Sequence, residues 1–356
     1  MRPLVSILIP AYNSERWITP CIQSALRQTW QPKEIIVVDD GSTDSTLQVA
    51  RQFSSKGIQV LTQPNQGASV ARNTAFAACQ GDYIQWLDAD DLLEPDKIER
   101  QMDQLKHCRS KMTLLSGAWG KFYYRKGKAH FDPTTLWCDL TPLEWMMRKM
   151  GQNLHMQTDN WLITRELSNA AGPWDRRLFR DNDGEYLCRV ICASDGIRFV
   201  KDARSYYRFS GFGSISYIGR SAKKIESYYL SMQLHMGYLR SLEDSERTRR
   251  ACLQYIQTNV HQFYPHRLDL VEKLRATTAE LGGEFVEPRL SWKYDWLRRS
   301  FGWNVARQAQ IRLPQLKTVS RMAWDKAMFA VEARLTSERD TSSAGGDAHS
   351  SRRPVA

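Results

Sequence analysis

The 356-residue chain has no apolar run near the ~18 residues that a membrane-spanning helix requires. Its first apolar stretch, Leu4–Ile9, is too short for a signal-peptide core and reads as a strand. No GxGxxG follows that stretch and no GxxxxGK[ST] occurs anywhere, so the ordinary dinucleotide and P-loop readings fail. The seven cysteines are odd in number and form no CxxC pair, which argues against a disulfide framework and a zinc site. The expectation is a cytoplasmic chain with reduced, mostly buried thiols. Cys188 and Cys192 stand four apart, but no matching His or Cys lies near them, so they read as buried thiols on one helix face. The histidines form no HExxH or HxxxH arrangement, and no internal repeat is visible. With 42% hydrophobic and 25% charged residues, the composition is that of a globular protein rather than a disordered or fibrous one.

The net charge is +11, and it is concentrated. Nine Lys or Arg face two acids between Arg289 and Lys326, so this window alone carries +7. The remainder is nearly balanced, which disfavours a general nucleic-acid-binding role. A local basic patch suited to phosphate or anionic lipid is what remains.

The first hundred residues alternate between short β-branched runs and helical stretches. Strands are predicted at Leu4–Ile9, Glu34–Val38, Ile58–Leu61 and Tyr83–Leu87. Helices are predicted at Ser14–Arg27, with Ser14 as cap, and at Thr43–Phe53, Gly67–Cys79 and Pro95–Leu105. This spacing implies βαβ units and a parallel sheet covered on both faces. Met112–Tyr124 reads as a strand pair or meander, and residues 141–170 as mainly helical. Residues 175–193 read as a helix entry and helix, and 198–218 as extended chain with a Gly/Ser loop. Three regions are expected: a catalytic domain over 1–220, a helical region over 221–335, and a disordered tail over 336–356.

In an open α/β sheet, ligands bind beyond the carboxyl ends of the strands. Three such ends carry polar groups: Pro10-Ala11-Tyr12-Asn13, Asp39-Asp40-Gly41-Ser42 and Asp88-Ala89-Asp90-Asp91. The acidic cluster is the sharpest signal, because carboxylate oxygens suit Mg²⁺ or Mn²⁺ and three adjacent carboxylates repel one another without a cation. The competing reading is an N-cap for the helix that starts near Glu94. A metal-held diphosphate would substitute for the missing phosphate-cradling glycine loop.

Five ordered segments together resemble the family 2 glycosyltransferases, inverting enzymes of the GT-A fold. They are VSILIPAYNSERWI (5–18), EIIVVDDGSTDST (34–46), NQGASVARNTAF (65–76), GDYIQWLDADDLLEPDKI (81–98) and GPWDRRLFRDNDGEYLCRV (172–190). The resemblance implies an α/β fold with a mostly parallel central sheet, flanking helices and a helical C-terminal region. It implies that Pro10, Tyr12 and Asp40 line a nucleobase pocket and that Arg72 sits near the nucleotide-sugar. Asp88 and Asp90 match the family's DxD, with Asp90 the principal ligand of Mn²⁺ or Mg²⁺. Asp183 matches the general base, with Glu185 as competitor, and either of them could instead cap a helix. Members carry a second acid before the base where this chain has Asn182. In the segment YYRFSGFGSIS (206–216), which resembles a loop that closes over the diphosphate, a histidine of the family is replaced by Ser210 and Arg208 remains for phosphate.

The reading is a metal-dependent enzyme that moves one sugar from a nucleotide-sugar, by family frequency a UDP-sugar, to a hydroxyl of a glycan or lipid-linked glycan. No QxxRW motif is present, which favours single-sugar transfer. A sugar-1-phosphate nucleotidyltransferase would need a Gly-rich basic loop after the first strand. A catalytically idle nucleotide-sugar-binding protein is the other alternative. Leu290, Tyr294, Leu297, Phe301 and Val305 follow a helical pattern amid basic residues and tryptophans. That stretch reads either as an interfacial helix on an anionic membrane, on its cytoplasmic face, or as a helix packed on the catalytic domain.

Overall fold

The computed structural model describes residues 2–108, 110–211, 221–264, 267–288 and 292–346. By contacts the chain divides into two compact units, Met1–Lys121 with His130–Pro288, and Phe122–Ala129 with Arg289–Ala356.

The first unit opens with β1 (Val5–Ala11), α1 (Ile18–Leu26), β2 (Lys33–Asp39), α2 (Thr46–Arg51), β3 (Gln59–Thr62), α3 (Ala68–Ala78) and β4 (Tyr83–Trp86). Four parallel strands and a short antiparallel one, β7 (Ile163–Thr164), make a sheet in the order β3-β2-β1-β4-β7. Alternation along each strand feeds two cores. Ile7, Ile9, Ile35 and Val37 meet Ile18, Ile22 and Ala25 of α1. Leu8, Ile36, Val38, Ile84 and Trp86 belong to the core that contains Ala71 and Ala75 of α3. The chain steps outward from β1 to β3 and then returns to place β4 on the other side of β1. The strand order therefore reverses between β1 and β4, which is where such sheets open a crevice for ligands.

β5 (Leu92–Leu93) and α4 (Lys97–Gln104) follow the acidic turn. Residues 112–124 form one long strand, β6 (Thr113–Phe122), rather than a strand pair. It lies in a second sheet of order β5-β8-β6, with β8 running Gly196–Arg208. Gly117 permits the close approach here, since a Cβ at that position would lie 2.1 Å from the Ala203 carbonyl oxygen. Between these strands come α5 (Pro142–Gln152), α6 (Arg165–Ala171) and α7 (Asn182–Ala193). α5 starts with a capping box of Thr141 and Glu144.

Helices α8 (Ala222–Leu242), α9 (Glu246–Asn259) and α10 (Leu268–Glu280) carry Tyr228, Met232, Met236, Tyr255, Ile256 and Leu274 into the same core as Trp145 and Leu187. The first unit thus extends past residue 220 to Pro288, because the helices beyond 220 complete the hydrophobic layer on that face of the sheet.

The second unit is built on α11 (Asp295–Gly346), which is interrupted by non-helical dihedrals at Gly302. The expected apolar stripe Leu290–Val305 is therefore not one continuous helix, and Leu290 lies outside the described residues. The helix continues through 336–346, where a disordered tail was expected, and residues 347–356 lie outside the described residues. Asp325 of α11 accepts from the backbone N–H groups of Tyr124 and Arg125 and pairs with the Arg125 guanidinium at 2.7 Å.

Candidate active site at the carboxyl edge of the sheet

Three loops are stitched together beyond β1, β2 and β3. Asn13, in the left-handed region with φ 47°, accepts the Thr43 N–H at 2.8 Å and donates its own N–H to Ser42 Oγ at 3.0 Å. Ser14 does not cap α1 with its side chain, whose hydroxyl donates to the Tyr12 carbonyl; its N–H goes to Thr46 Oγ1. Asp40 is buried at the end of β2 and clasps the loop before α3. It accepts from Gln63 Nε2 at 2.7 Å, from the Gln66 N–H at 3.0 Å and from the Gly67 N–H at 2.8 Å. An ionised carboxylate has about four acceptor positions, so one is left for a ligand. Gly41 beside it has φ +68°, and a Cβ there would meet the Asn65 nitrogen at 2.7 Å. Pro10 is half-buried just before the end of β1, and Tyr12 stands on the rim, 46% exposed.

Past β4, the turn Asp88–Asp91 closes with the Asp91 N–H on the Asp88 carbonyl at 3.0 Å. The helix-cap reading of this cluster does not hold. α4 begins after Asp96 without a side-chain cap, while Asp91 accepts the Arg208 N–H at 2.6 Å. Burial pushes the Asp91 carboxyl well up. Burial and then the Asp88 charge push Asp90 up to about 6, against the Ser210 hydroxyl and the Arg208 charge. A hard divalent cation would relieve the Asp88 charge that raises Asp90, and carboxylate oxygens are suitable donors for one. Among the described residues no third His, Cys, Asp or Glu joins them as a metal-holding group.

Two arginines flank this turn. Arg72 of α3 donates to Asp88 Oδ1 at 2.7 Å and lies over the Trp174 ring at 4.4 Å. Its Nε and Nη1 are buried without acceptors. Trp174 is fixed by a two-way bond with Asn73 and stacks on Tyr186 at 4.1 Å. Arg208 ends β8, donates Nε to the Asp90 carbonyl at 2.7 Å and lies 4.1 Å over Trp17. Tyr206–Arg208 is thus strand rather than loop, and residues 212–216 of that segment lie outside the described residues.

Asp183 lies in the first turn of α7, whose N-cap, Asp181, makes no side-chain cap bond. The Asp183 N–H is satisfied by Asn182 Oδ1, and among the described residues its carboxylate accepts no hydrogen bond. Glu185 is committed elsewhere. Arg189 grips both its oxygens at 2.7 and 2.9 Å, and the Tyr238 hydroxyl donates at 2.6 Å. Asp183 lines a cavity of about 270 Å³ with Trp145, Lys149, His155, Arg180 and Tyr207. Tyr207 lines this cavity and meets the Trp119 ring edge-on at 6.1 Å. Burial first, and then the charges of Asp91, Asp90, Asp88 and Asp183 together, raise its phenol. A larger, more open concavity of about 700 Å³ beside α5 and α9 has no such constellation, and Glu243 and Glu246 on its wall are paired with Arg247 and Arg250.

The edge of the sheet therefore gathers Arg72, Asp88, Asp90 and Arg208 around one turn, and the charges of that turn and of Asp183 both act on Tyr207. Sequence reasoning missed Lys149, His155 and Tyr207. Only Tyr207 had a signal, the alternation of Tyr206-Tyr207-Arg208 that points neighbours to opposite faces.

Comparison with known proteins agrees with this architecture. Residues 6–169 match the family model described as glycosyl transferase family 2. The glycosyltransferase GlyG of Streptococcus pneumoniae serotype 4 is 36% identical over 225 residues, 58% of this chain and 71% of that protein. Chondroitin synthase of Escherichia coli is 44% identical over 106 residues, 29% of this chain but only 16% of that protein. The crystal structure of S. aureus TarS in complex with UDP-GlcNAc shares the fold, with a TM-score of 0.62 at 18% identity, over 78% of this chain and 82% of that one.

Proposed function

Because the chain belongs to glycosyl transferase family 2, we propose that it moves a single sugar from a nucleoside diphospho-sugar to a hydroxyl acceptor, with inversion and with a divalent cation. The observation that carries this reading is the unengaged Asp183 carboxylate in a cavity also lined by Tyr207, whose phenol is raised by the Asp88, Asp90 and Asp91 charges as well. The nucleobase would lie against Pro10 and Tyr12, with Asp40 offering its remaining acceptor position. Arg208, with Arg72 behind it on Asp88, would supply the positive charge for the diphosphate. Asp88 and Asp90 would hold Mn²⁺ or Mg²⁺, which when bound supplies the charge neutralisation that makes the diphosphate a good leaving group. On the far side of the anomeric carbon, Asp183 would take the proton of the attacking hydroxyl, a role worth ~10²–10⁴ in rate. Glycan assembly is the setting suggested by the names of the relatives. TarS complexes with UDP and UDP-GlcNAc favour a UDP-sugar as donor.

A thermal-shift panel of UDP, GDP, dTDP and CDP, each with and without Mn²⁺, tests the donor site. A ligand at ~100 times its Kd adds ~2.7 kcal/mol, a readable shift. One nucleotide acting only with metal is the expected result. No shift with any nucleotide, together with an Asp183→Asn variant as active as wild type, would sink the reading.

An anionic membrane, on its cytoplasmic face, is the proposed surface for the second unit. No helix among the described residues is long and apolar enough to cross a membrane. Leu313, Leu316, Trp324, Val331 and Leu335 are exposed on α11. At 100° per residue they fall in a stripe about 100° wide. Arg312, Lys317, Arg321 and Arg334 accompany it. Pelleting with phosphatidylglycerol vesicles is expected, and loss of pelleting in Leu316→Glu/Trp324→Glu. A double variant that pelleted like wild type would remove the membrane from the proposal.

A further inference from the structure

The cavity beside Asp183 contains a charge that transfer to a neutral hydroxyl does not require. Lys149, on α5, lines it and is only 6% exposed. Among the described residues its ammonium has neither a hydrogen bond nor an ion pair. The side chain is mostly covered and lines the cavity without a protein partner, so an anionic group bound in the cavity could complete it.

The surrounding groups show what is missing. Two acids line the same cavity, and neither pairs with Lys149. Asp181 is turned away, accepting the Ser231 hydroxyl at 2.8 Å and lying 3.9 Å from His235 Nδ1. Asp183 is the proposed base. The two nearby imidazoles are held neutral, His155 and His235 both being depressed by burial first and by the Lys149 charge second. Tyr228 and Tyr255 on the wall spend their hydroxyls on Asn259 and His235. Arg180 adds a second cation, its guanidinium 4.2 Å over the Tyr228 ring. One turn before Lys149, Trp145 also lines the cavity, and its indole N–H has no acceptor. The α5 wall thus offers a positive charge, and of the two acids that line the cavity Asp183 is the one left unengaged.

We propose that this cavity binds an acceptor sugar carrying an anionic group, a carboxylate or a phosphate, with Lys149 as its charge partner and the acceptor hydroxyl turned to Asp183. The proposal rests on the transferase reading above. At about 270 Å³ the cavity lies just under the ~300–1,000 Å³ of drug-sized pockets, a scale that suits one sugar unit rather than an oligosaccharide. Lys149 is then a specificity residue. It selects among acceptors by their charge and takes no part in proton transfer.

The test titrates the full chain, with UDP and Mg²⁺ present, with methyl glucuronide, glucose 6-phosphate and methyl glucoside, following binding by NMR. A charge-assisted contact should favour one of the two anionic sugars over methyl glucoside by ~10-fold or more, and which one identifies the group. Lys149→Met should reduce that preference to less than ~2-fold while UDP still binds, and Lys149→Arg should retain part of it. Because the ammonium holds no protein partner among the described residues, its removal should leave the melting temperature equal or higher, which separates a specificity defect from misfolding; Lys149→Gln serves as a second neutral variant. No preference for either anionic sugar, or a preference that survives in both neutral variants, overturns the proposal. Failure of wild type to bind UDP would instead count against the donor site, independently of Lys149.

Discussion

The choice between Asp183 and Glu185 can be settled by two isosteric variants with opposite signatures. Glu185 is 1% exposed, and its carboxylate is gripped by both arms of Arg189 and by Tyr238. Glu185→Gln leaves the Arg189 charge half-paired. Breaking a buried pair costs ~3–5 kcal/mol. Arg189 keeps the Ala171 and Pro173 carbonyls and is 19% exposed, which points to the lower end, about 3 kcal/mol. At ~2–4 °C per kcal/mol for a domain of this class, the melting temperature should fall by about 6–12 °C. Turnover measured below the transition should stay within a few-fold of wild type. Asp183→Asn should do the reverse. Its carboxylate accepts no hydrogen bond among the described residues, so the melting temperature should hold while turnover drops ~10²–10⁴-fold. Differential scanning fluorimetry and a nucleoside-diphosphate release assay on the same preparations give both quantities. A Glu185→Gln protein that melts like wild type but has lost turnover would falsify the assignment.

Asp40→Ala removes the acceptor of three donors in the loop before α3, so unfolding in urea should show a loss of about 3 kcal/mol, and the nucleotide-induced melting shift should vanish. An unchanged midpoint would show that the loop does not depend on this clasp. Gly117→Ala would push a methyl into the Ala203 carbonyl, and a destabilisation of about 3 kcal/mol or more, read from the urea midpoint, is expected. Asp159 is fully buried with neither carboxylate oxygen hydrogen-bonded, and burial raises its carboxyl despite the Lys97 charge. A raised carboxyl contributes stability that is full below its unfolded value of ~4 and is lost as pH rises through the folded value. Relative to Asp159→Asn, wild type should therefore lose stability as pH rises above ~4, measured by urea unfolding at several pH values. Parallel pH dependences in the two proteins would refute this.

Some of this chemistry was visible along the chain because it depends on local pattern. Ile7-Leu8-Ile9 and Ile35–Val38 are apolar on both faces, which only a strand covered on two sides requires, and the helices between them follow at helical spacing. The polar residues just past each strand then had to share one edge, since parallel strands end together. Glu185 and Arg189 stand at i and i+4, a spacing at which an ion pair can form, but the preference for Asp183 came from the resemblance alone. Tyr238, which closes that clasp from 53 residues away, was not legible. The single long strand β6 was hidden because Gly117 and Gly120 look like turn residues, whereas β8 and Phe131 need the space they leave.

The sequence alone determined the sheet, its helices and the acidic turn, because each is written in spacing or in a contiguous motif, and the resemblance marked Asp183 at the start of α7 as the candidate base. Neither could determine what stands opposite Asp183. Lys149 is one lysine among many until α5, α7, β8 and α8 bring Trp145, Asp181, Tyr207 and Tyr228 around one cavity. It is likewise tertiary packing that leaves Asp159 and Lys97 buried under the acidic turn, since burial, and not residue type, sets the cost of a charge. Reach along the chain is fixed by covalent geometry. Which groups are left without partners is fixed only when distant elements close around them.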